Sequence, residues 1–245
     1  MKINADLHTH TVFSHGKNTI EENVRSARKK GLKKIVISDH GSGHLFYGVD
    51  PKDWVEMRKE VNRLQKVYPD MEILLGVEAN VVGLDGSIDV SEEQRKLLDT
   101  VYVGYHYGIK PRGPGSFLWF YIGNGLAKLL PFLRKPIKRM NTRALIRAMD
   151  RSIDMITHPG AKIPVDLLKV AKVAQKKGVI LEINAHHHHL NTEELNAVES
   201  TGVNFAINSD AHRAQDVGRV EDGIDLWDRS RIKVDRIVNR NEECT

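Results

Sequence analysis

The stretch Asp6-Leu7-His8-Thr9-His10 lies near the start of the chain, and most of the later predicted strands end close to another side chain that can bind a metal. Alternate residues of a β-strand share one face, so the alternation predicts that Asp6, His8 and His10 point to the same side. Two imidazoles on one face can hold one metal ion. An isolated His-x-His pattern is also typical of ordinary solvated histidines, so its interpretation depends on the rest of the chain.

Seven short apolar runs, rich in Val and Ile, alternate with helical segments along the sequence. The predicted strands cover residues 2–10, 34–38, 72–80, 100–106, 153–157, 179–185 and 204–208. This pattern is typical of a parallel sheet that is covered on both faces. It predicts an α/β fold, a distorted seven-stranded (βα)7 TIM-like barrel, and the alternative is an open doubly wound sheet.

Local signals mark where several helices begin and end. Thr19 and Glu22 form the pattern of a capping box, which predicts a helix from there to Lys30, and Gly31 is placed to end it. Asp50-Pro51 predicts a second helix with Pro in its first turn, running to about Tyr68. The 245 residues fit one domain of this class, which we expect to cover 1–245.

Cysteine use and charge narrow the chemistry. The only cysteine is Cys244, so we expect no intrachain disulfide, and any metal must be held by His and carboxylates, a set that suits zinc, manganese or iron. Nine Lys and Arg but no Asp or Glu lie within 107–147, so this segment carries +9 and the rest of the chain −4 of the net charge of +5. The excess of basic residues is therefore confined to this segment. No secretory signal or membrane-spanning run is evident, and we expect a cytoplasmic protein.

Polar side chains gather at the ends of the predicted strands, which is the catalytic face of parallel barrels. Those that can bind metal are His8, His10, His15, His40, Glu78, His106, His158, Asp210 and His212. Histidines scattered by chance would not follow strand ends so consistently. The pattern indicates a metal centre built from several loops.

The motifs around these residues resemble those of the PHP (polymerase and histidinol phosphatase) family, and most closely those of its small stand-alone phosphatase-like members. They are Asp6-Leu7-His8-Thr9-His10, Ser38-Asp39-His40, Gly76-Val77-Glu78-Ala79-Asn80, Gly104-Tyr105-His106, Thr157-His158-Pro159-Gly160 and Ser209-Asp210-Ala211-His212. The resemblance covers residue 1 to about residue 240. It implies a distorted seven-stranded barrel with a trinuclear metal centre of zinc or manganese, with iron as a further candidate.

The resemblance also implies a role for each ligand. His8, His10, Glu78 and Asp210 would hold the first metal, Glu78 would bridge to a second held by His106 and His158, and His15, His40 and His212 would hold the third. The loop from His10 to His15 varies in length in the family. Asp39 is a candidate for orienting a ligating imidazole, or equally a turn residue.

Clustered divalent cations generate hydroxide from bound water near neutral pH and neutralise the charge of a phosphoryl group. The leading hypothesis is therefore a metal-dependent phosphoesterase that hydrolyses small phosphate monoesters with metal-bound hydroxide. Asp210 could also position the attacking water, and Arg213 is a candidate phosphate contact, although an Arg in a loop is often simply solvated. The alternative is a 3′–5′ exonuclease on single strands, for which short nucleic acid would be the partner. An amidohydrolase and an inactive interaction module fit the pattern less well.

Two segments are not explained by these motifs. The basic and aromatic insertion at about 107–147 is interpreted either as a lid or wall over the site or as a self-association surface that would make a homo-oligomer. Contact with an anionic membrane surface is the third interpretation. The run His186–His189 follows the sixth strand, and we interpret it as a solvated loop rather than an extra metal or substrate site.

Overall fold

Seven parallel strands form a nearly closed barrel in the computed structural model, which describes residues 1–242; Cys244 lies outside that range. The strands are β1 (Ala5–Thr9), β2 (Lys34–Ile37), β3 (Glu72–Asn80), β4 (Thr100–Gly104), β5 (Met155–Ile156), β6 (Ile180–Asn184) and β7 (Phe205–Asn208). Each strand pairs with the next along the chain. The predicted barrel class is confirmed, and the open doubly wound sheet is excluded.

Helices connect the strands on the outside of the sheet. They are α1 (Ile20–Lys29), α2 (Asp53–Val67), α3 (Glu92–Arg95), α4 (Gly113–Phe117), α5 (Asn124–Leu129), α6 (Pro131–Ala148), α7 (Leu167–Lys177), α8 (Thr192–Val198) and α9 (Glu221–Asp228), with a π-helical turn (Leu118–Gly123) joining α4 to α5. The capping box of Thr19 and Glu22 opens α1 as predicted. Pro51 was predicted in the first turn of α2, but α2 begins two residues later, after Lys52.

The strict alternation predicted for the first strand is interrupted. The register of β1 against β2 shifts between Asp6 and Thr9, which places an extra residue on β1. The rings of His8 and His10 lie together, with 3.1 Å between their Nε2 atoms, whereas the Asp6 carboxylate accepts hydrogen bonds from Ser209 and Gly218 beyond β7. The prediction that all three side chains share one face was wrong for Asp6, because a bulge is not visible in the alternation of a five-residue strand.

The barrel interior has an apolar part and a polar part. Val36, Tyr102, Met155 and Ala206 form a buried cluster between strands, with Leu7, Leu74 and Ile180 packed against it. The larger core lies between the strands and the surrounding helices. The apolar cluster fills the interior toward the amino ends of the strands, so the polar side chains collect at their carboxyl ends.

The seam between the first and last strands is held by few contacts. Thr9 pairs with Ala211 just beyond β7, and the His10 amide donates a hydrogen bond to the Ala211 carbonyl at 2.8 Å. Farther down the seam, the Asn239 side chain donates to the carbonyls of Ala5 at 2.9 Å and Ile207 at 2.8 Å. A residue near the end of the described chain thus joins β1 to β7.

The insertion between β4 and β5 folds into α4, the π-helical turn, α5 and α6. Trp119 and Phe120 are buried in the main core beside Tyr105, and the Trp119 indole donates to Asn141 at 2.8 Å. These rings therefore do not supply the aromatic substrate contacts that the lid interpretation assigned to the segment. Tyr107, at the start of the insertion, is the aromatic residue of this segment that lines the same cavity as the predicted metal-binding residues, described below.

Candidate metal centre

A cavity of about 430 Å³ opens at the carboxyl ends of the strands. Eight of the nine predicted metal-binding residues line it, namely His10, His15, His40, Glu78, His106, His158, Asp210 and His212. The ninth, His8, is completely buried against His10 beneath the cavity, with 3.1 Å between their Nε2 atoms. The loops thus bring all nine side chains to one place, as their positions at strand ends predict.

The first group of ligand atoms surrounds the histidines of β1. Asp210 Oδ1 lies 3.2 Å from His10 Nε2 and 3.5 Å from His8 Nε2. Glu78 Oε2 lies 3.5 Å from His10 Nε2 and 3.4 Å from His8 Nε2. These four side chains offer two imidazole nitrogens and two carboxylate oxygens around one point.

The second group shares Glu78 through its other oxygen. Glu78 Oε1 lies 2.8 Å from His158 Nε2 and 3.2 Å from His106 Nε2, and the two nitrogens are 3.2 Å apart. One carboxylate therefore faces two separate sets of imidazoles, one with each oxygen. This arrangement would allow Glu78 to bridge two ions.

The third group lies nearest the cavity mouth. The ring of His15 stacks on His40 with 4.8 Å between centroids, and its Nε2 contacts Nε2 of His212. His40 also approaches the other groups, because its Nδ1 is 3.1 Å from Glu78 Oε2. The ligand atoms of His10, His15 and His40 are close enough together to hold one ion.

The pKa shifts of His15, His40 and Glu78 suit a cation, whereas neighbouring carboxylates outweigh burial and raise the pKa of His8 and of His158. Burial, and then the charges of His10 and His212, lower the pKa of His15 to about 3, and burial holds the pKa of His40 well below its usual range. Burial opposes ionisation of Glu78, but His106, His8 and His40 outweigh it and hold the pKa of Glu78 well below the usual value. Neutral imidazoles and ionised carboxylates are the forms that bind metals.

Several buried nitrogens have no hydrogen bond within residues 1–242. Among the predicted ligands they are the Nδ1 atoms of His10, His15 and His40, and others lie in Arg58 and His189. His40 Nδ1 lies 3.1 Å from Glu78 Oε2 without hydrogen-bond geometry, so two buried polar atoms face each other unpaired. Such contacts are costly in a buried site unless a cation lies between the atoms, and the donor set therefore fits divalent metal ions.

A second layer of side chains fixes the rings. The Nδ1 of His8 donates to Glu182 Oε1 at 2.7 Å, and the other oxygen of Glu182 accepts from the His158 amide at 2.8 Å. The Nδ1 of His106 donates to Asn80 at 2.7 Å, and Asn80 in turn donates to Asp89. Because Nδ1 is the donor in each ring, Nε2 is left with its lone pair toward the cavity.

Backbone conformation also sets the direction of two of the candidate ligand side chains. Asp210 has φ of 52° and His158 has φ of 28°, and residues other than Gly rarely adopt positive φ. Such a conformation costs on the order of 1–2 kcal/mol per residue. Local strain at two of the ligand positions is consistent with a functional constraint there.

The remaining predicted residues lie around this centre in different ways. Asp39 accepts hydrogen bonds from the Thr11 amide at 2.7 Å and from Ser14, so it shapes the loop that carries His15. Arg213 is exposed and lines a neighbouring cavity of about 500 Å³ rather than the catalytic one. In the run His186–His189, His186 and His188 are exposed as predicted, whereas His187 turns inward to 3.3 Å from Asp210 Oδ2.

Sequence reasoning missed Glu182 and Lys162. Glu182 is a carboxylate in the middle of an apolar strand, Leu181-Glu182-Ile183, and that isolated charge is the signal that could have revealed it. Lys162 lines the catalytic cavity from the loop that follows His158, and Tyr107 donates a hydrogen bond to the Lys162 carbonyl at 2.8 Å. Nothing in the local sequence distinguishes this lysine from many others.

The fold and the site together define an α/β-barrel enzyme with a centre of histidines and carboxylates. The sequence profile of the PHP domain matches residues 6–112. A probable phosphatase of a Thermoanaerobacter species is 32% identical over 255 residues, covering 98% of this chain and 91% of the relative. One from Proteus mirabilis is 31% identical over 245 residues, covering 96% and 89%.

A solved structure has the same fold. The histidinol phosphate phosphatase of Lactococcus lactis, in complex with zinc, L-histidinol and phosphate, superposes with a TM-score of 0.63 over 95% of each chain at 13% identity. The chain belongs to the PHP family, and it is a hydrolase. The family resemblance of the sequence motifs is thereby confirmed.

Proposed function

We propose that this metal-dependent phosphoesterase of the PHP family hydrolyses small phosphate monoesters at a centre of three divalent ions, zinc or manganese. The relatives above are named probable phosphatases, and the structural neighbour holds zinc and phosphate. A cavity of about 430 Å³ suits a small ligand. Iron fits the donor set as well.

The observation that carries the proposal is the placement of Glu78. Its two oxygens face two separate groups of imidazoles, with His8 and His10 on one side and His106 and His158 on the other. A carboxylate in that position would hold two adjacent cations, one with each oxygen. Such pairs stabilise both the attacking and the departing oxygen of a phosphoryl transfer.

Metal ions bound here would lower the pKa of a water molecule, so that hydroxide is available as the nucleophile, and would neutralise charge on the phosphoryl oxygens. The protein's own groups hold the geometry. Asn184 donates to Asp210 Oδ2 at 3.0 Å, which leaves Asp210 Oδ1 directed at His8 and His10. In that position Oδ1 would serve as a metal ligand and orient a water molecule for attack. The Lys162 ammonium at the cavity wall attracts the substrate phosphate.

Removing the metal should abolish phosphate release. We expect protein treated with a chelator and then desalted to lose activity on small phosphate monoesters, and added zinc or manganese to restore it, because metals supply the nucleophile and several kcal/mol of transition-state stabilisation. The measurement is the rate of inorganic phosphate release. It is compared with the number of metal ions bound per chain, which mass spectrometry determines. Undiminished turnover by protein free of metal would refute the proposal.

A single-stranded oligonucleotide with a terminal phosphate separates the two reaction types. Loss of phosphate without shortening of the strand supports monoester hydrolysis. Progressive shortening, followed by mass, would replace the proposal with an exonuclease. The chelated protein serves as the control in each arm.

Replacing Lys162 should weaken the use of substrate. Hydrogen bonds to charged groups contribute about 1.5–3 kcal/mol, so we expect Lys162→Ala to lower kcat/KM for a phosphate monoester by roughly 10- to 100-fold. Metal content should stay unchanged, because Lys162 is not among the ligand groups. Steady-state kinetics with metal-loaded protein measure the effect.

Two further variants complete that experiment. Lys172→Ala removes an exposed lysine of α7 and should leave kcat/KM unaltered. Arg213→Ala tests the phosphate contact predicted from sequence. If Arg213→Ala has the large effect and Lys162→Ala has none, the phosphate role belongs to Arg213.

A further inference from the structure

The insertion carries an exposed apolar stripe on the outer face of its helices. Leu118, Ile122, Leu126 and Leu129 recur at intervals of four, four and three residues, and their exposed fractions are 59%, 46%, 41% and 77%. The opposite face is occupied, because Trp119, Phe120 and Ala127 are buried. Because the inner face already packs into the core, the stripe is available to contact a partner outside the protein.

The charges around this apolar stripe all have the same sign. Residues 113–127 contain no charged side chain, while Lys110 and Arg112 precede them and Lys128, Arg134 and Lys135 follow. These five side chains are exposed. Within residues 1–242, no carboxylate lies within ion-pair distance of any Lys or Arg of the insertion. Arg112 donates a hydrogen bond to Ser87 and its charge helps to lower the pKa of Asp85. The charges of Lys110, Lys128, Arg134 and Lys135 are available to a partner.

A cavity of about 450 Å³ lies between α5 and α6, against the face of α5 that is opposite the apolar stripe. Ala127, Ile137 and Pro164 give it apolar walls, and its remaining lining includes four cations, Lys128, Arg134, Lys135 and Lys138. Apolar walls with a cationic rim suit a molecule that is apolar at one end and anionic at the other. A phospholipid with an anionic headgroup has that chemistry.

We propose that the apolar stripe and its basic flanks dock the enzyme on the surface of a bilayer that contains anionic phospholipid. An apolar helix face with flanking Lys and Arg lies in the interface, with its apolar side chains among the acyl chains and its cations at the headgroups. No helix in the described part of the chain is long and apolar enough to span a bilayer, so the contact lies on the surface.

A second copy of the chain fits this face less well. A twofold interface would place the same surface of both copies together, and each copy brings +9 with no Asp or Glu in residues 107–147. Like charges at the rim of an interface oppose association. An anionic bilayer complements both the apolar stripe and its flanks.

Vesicle flotation tests the proposal with the metal-loaded enzyme. We expect at least a tenfold larger bound fraction on vesicles of phosphatidylcholine with 30% phosphatidylglycerol than on phosphatidylcholine alone, and a decrease at 0.5 M salt. Leu118→Ser/Ile122→Ser/Leu126→Ser and, separately, Lys128→Gln/Lys135→Gln should each reduce binding at least tenfold. Binding that is absent, or equal on both vesicle types, would overturn the proposal.

Matched variants and a solution measurement complete the design. Val55→Ser/Val67→Ser changes apolar side chains of α2 with similar exposed fractions, 47% and 51%, and should bind like the wild type. Lys172→Gln/Lys176→Gln removes the same charge from α7. The serine triple variant should retain hydrolysis of a soluble phosphate monoester, so this result is independent of the proposed activity. A wild-type dimer in sedimentation velocity that the triple variant dissociates would assign the apolar stripe to self-association instead.

Discussion

Glu78→Gln should lower kcat/KM for phosphate monoesters by about a thousandfold or more. The variant keeps the size of the side chain but removes the charge that faces both groups of imidazoles, with Oε1 2.8 Å from His158 and Oε2 3.4 Å from His8. Metal ions contribute several kcal/mol to the transition state, and each 1.4 kcal/mol is a factor of ten in rate. Phosphate release measures the loss, and metal analysis should find fewer bound ions per chain.

A control on the same strand isolates the cause. Glu72→Gln removes a half-exposed carboxylate at the start of β3, where it pairs with Lys34, and should leave rate and metal content unaltered. The melting temperature of metal-free Glu78→Gln, compared with that of metal-free wild type, reports whether the fold is intact. A folded Glu78→Gln that keeps full metal content and turnover would remove Glu78 from the bridging role.

Glu182→Gln should lower the affinity for metal by roughly 10- to 100-fold, the usual effect of losing a group that orients a ligand. Glu182 is fully buried and accepts hydrogen bonds from the His8 ring and the His158 amide, and it therefore holds residues of both the first and the second group. The amide of Gln cannot accept through both atoms. Titration of metal-free protein with zinc measures the change in Kd.

The matched variant is Glu193→Gln, which changes an exposed glutamate in the first turn of α8. Its zinc affinity should equal that of the wild type. If the affinity of Glu182→Gln also equals the wild-type value, the orienting role of Glu182 would have to be abandoned. Glu182 lies inside the barrel and does not line the cavity. We therefore expect Glu182→Gln to change the affinity for metal more than it changes KM.

The barrel and the gathering of ligands could be predicted because both follow from periodic patterns. The Val- and Ile-rich runs have the length of strands, and parallel strands place their carboxyl ends on one face, so His40, Glu78 and His158 had to lie near one another. The capping box at Thr19 depends on residues three apart and is equally visible in sequence. Interactions between residues that are close together along the chain can therefore be predicted from the sequence pattern.

Other features depend on contacts between distant residues. The bulge in β1 arises from the register of two strands, and no pattern within Asp6–Thr9 reveals it. Trp119 and Phe120 pack inward because Tyr105 and Asn141 lie behind them, while sequence shows only an apolar run. Lys162 reaches the cavity through the path of a loop, and that path is set by the tertiary fold.

The seam between β1 and β7 has a consequence for biosynthesis. Asp210 and His212 complete the surroundings of His8 and His10, and they are synthesised some two hundred residues after them. Asn239, which ties Ala5 to Ile207, is later still. A nascent chain therefore exposes strong imidazole ligands long before it can enclose an ion, and contacts of such high sequence separation form slowly. Enclosure of an ion between these groups therefore requires that the segment carrying Asp210, His212 and Asn239 has already been synthesised.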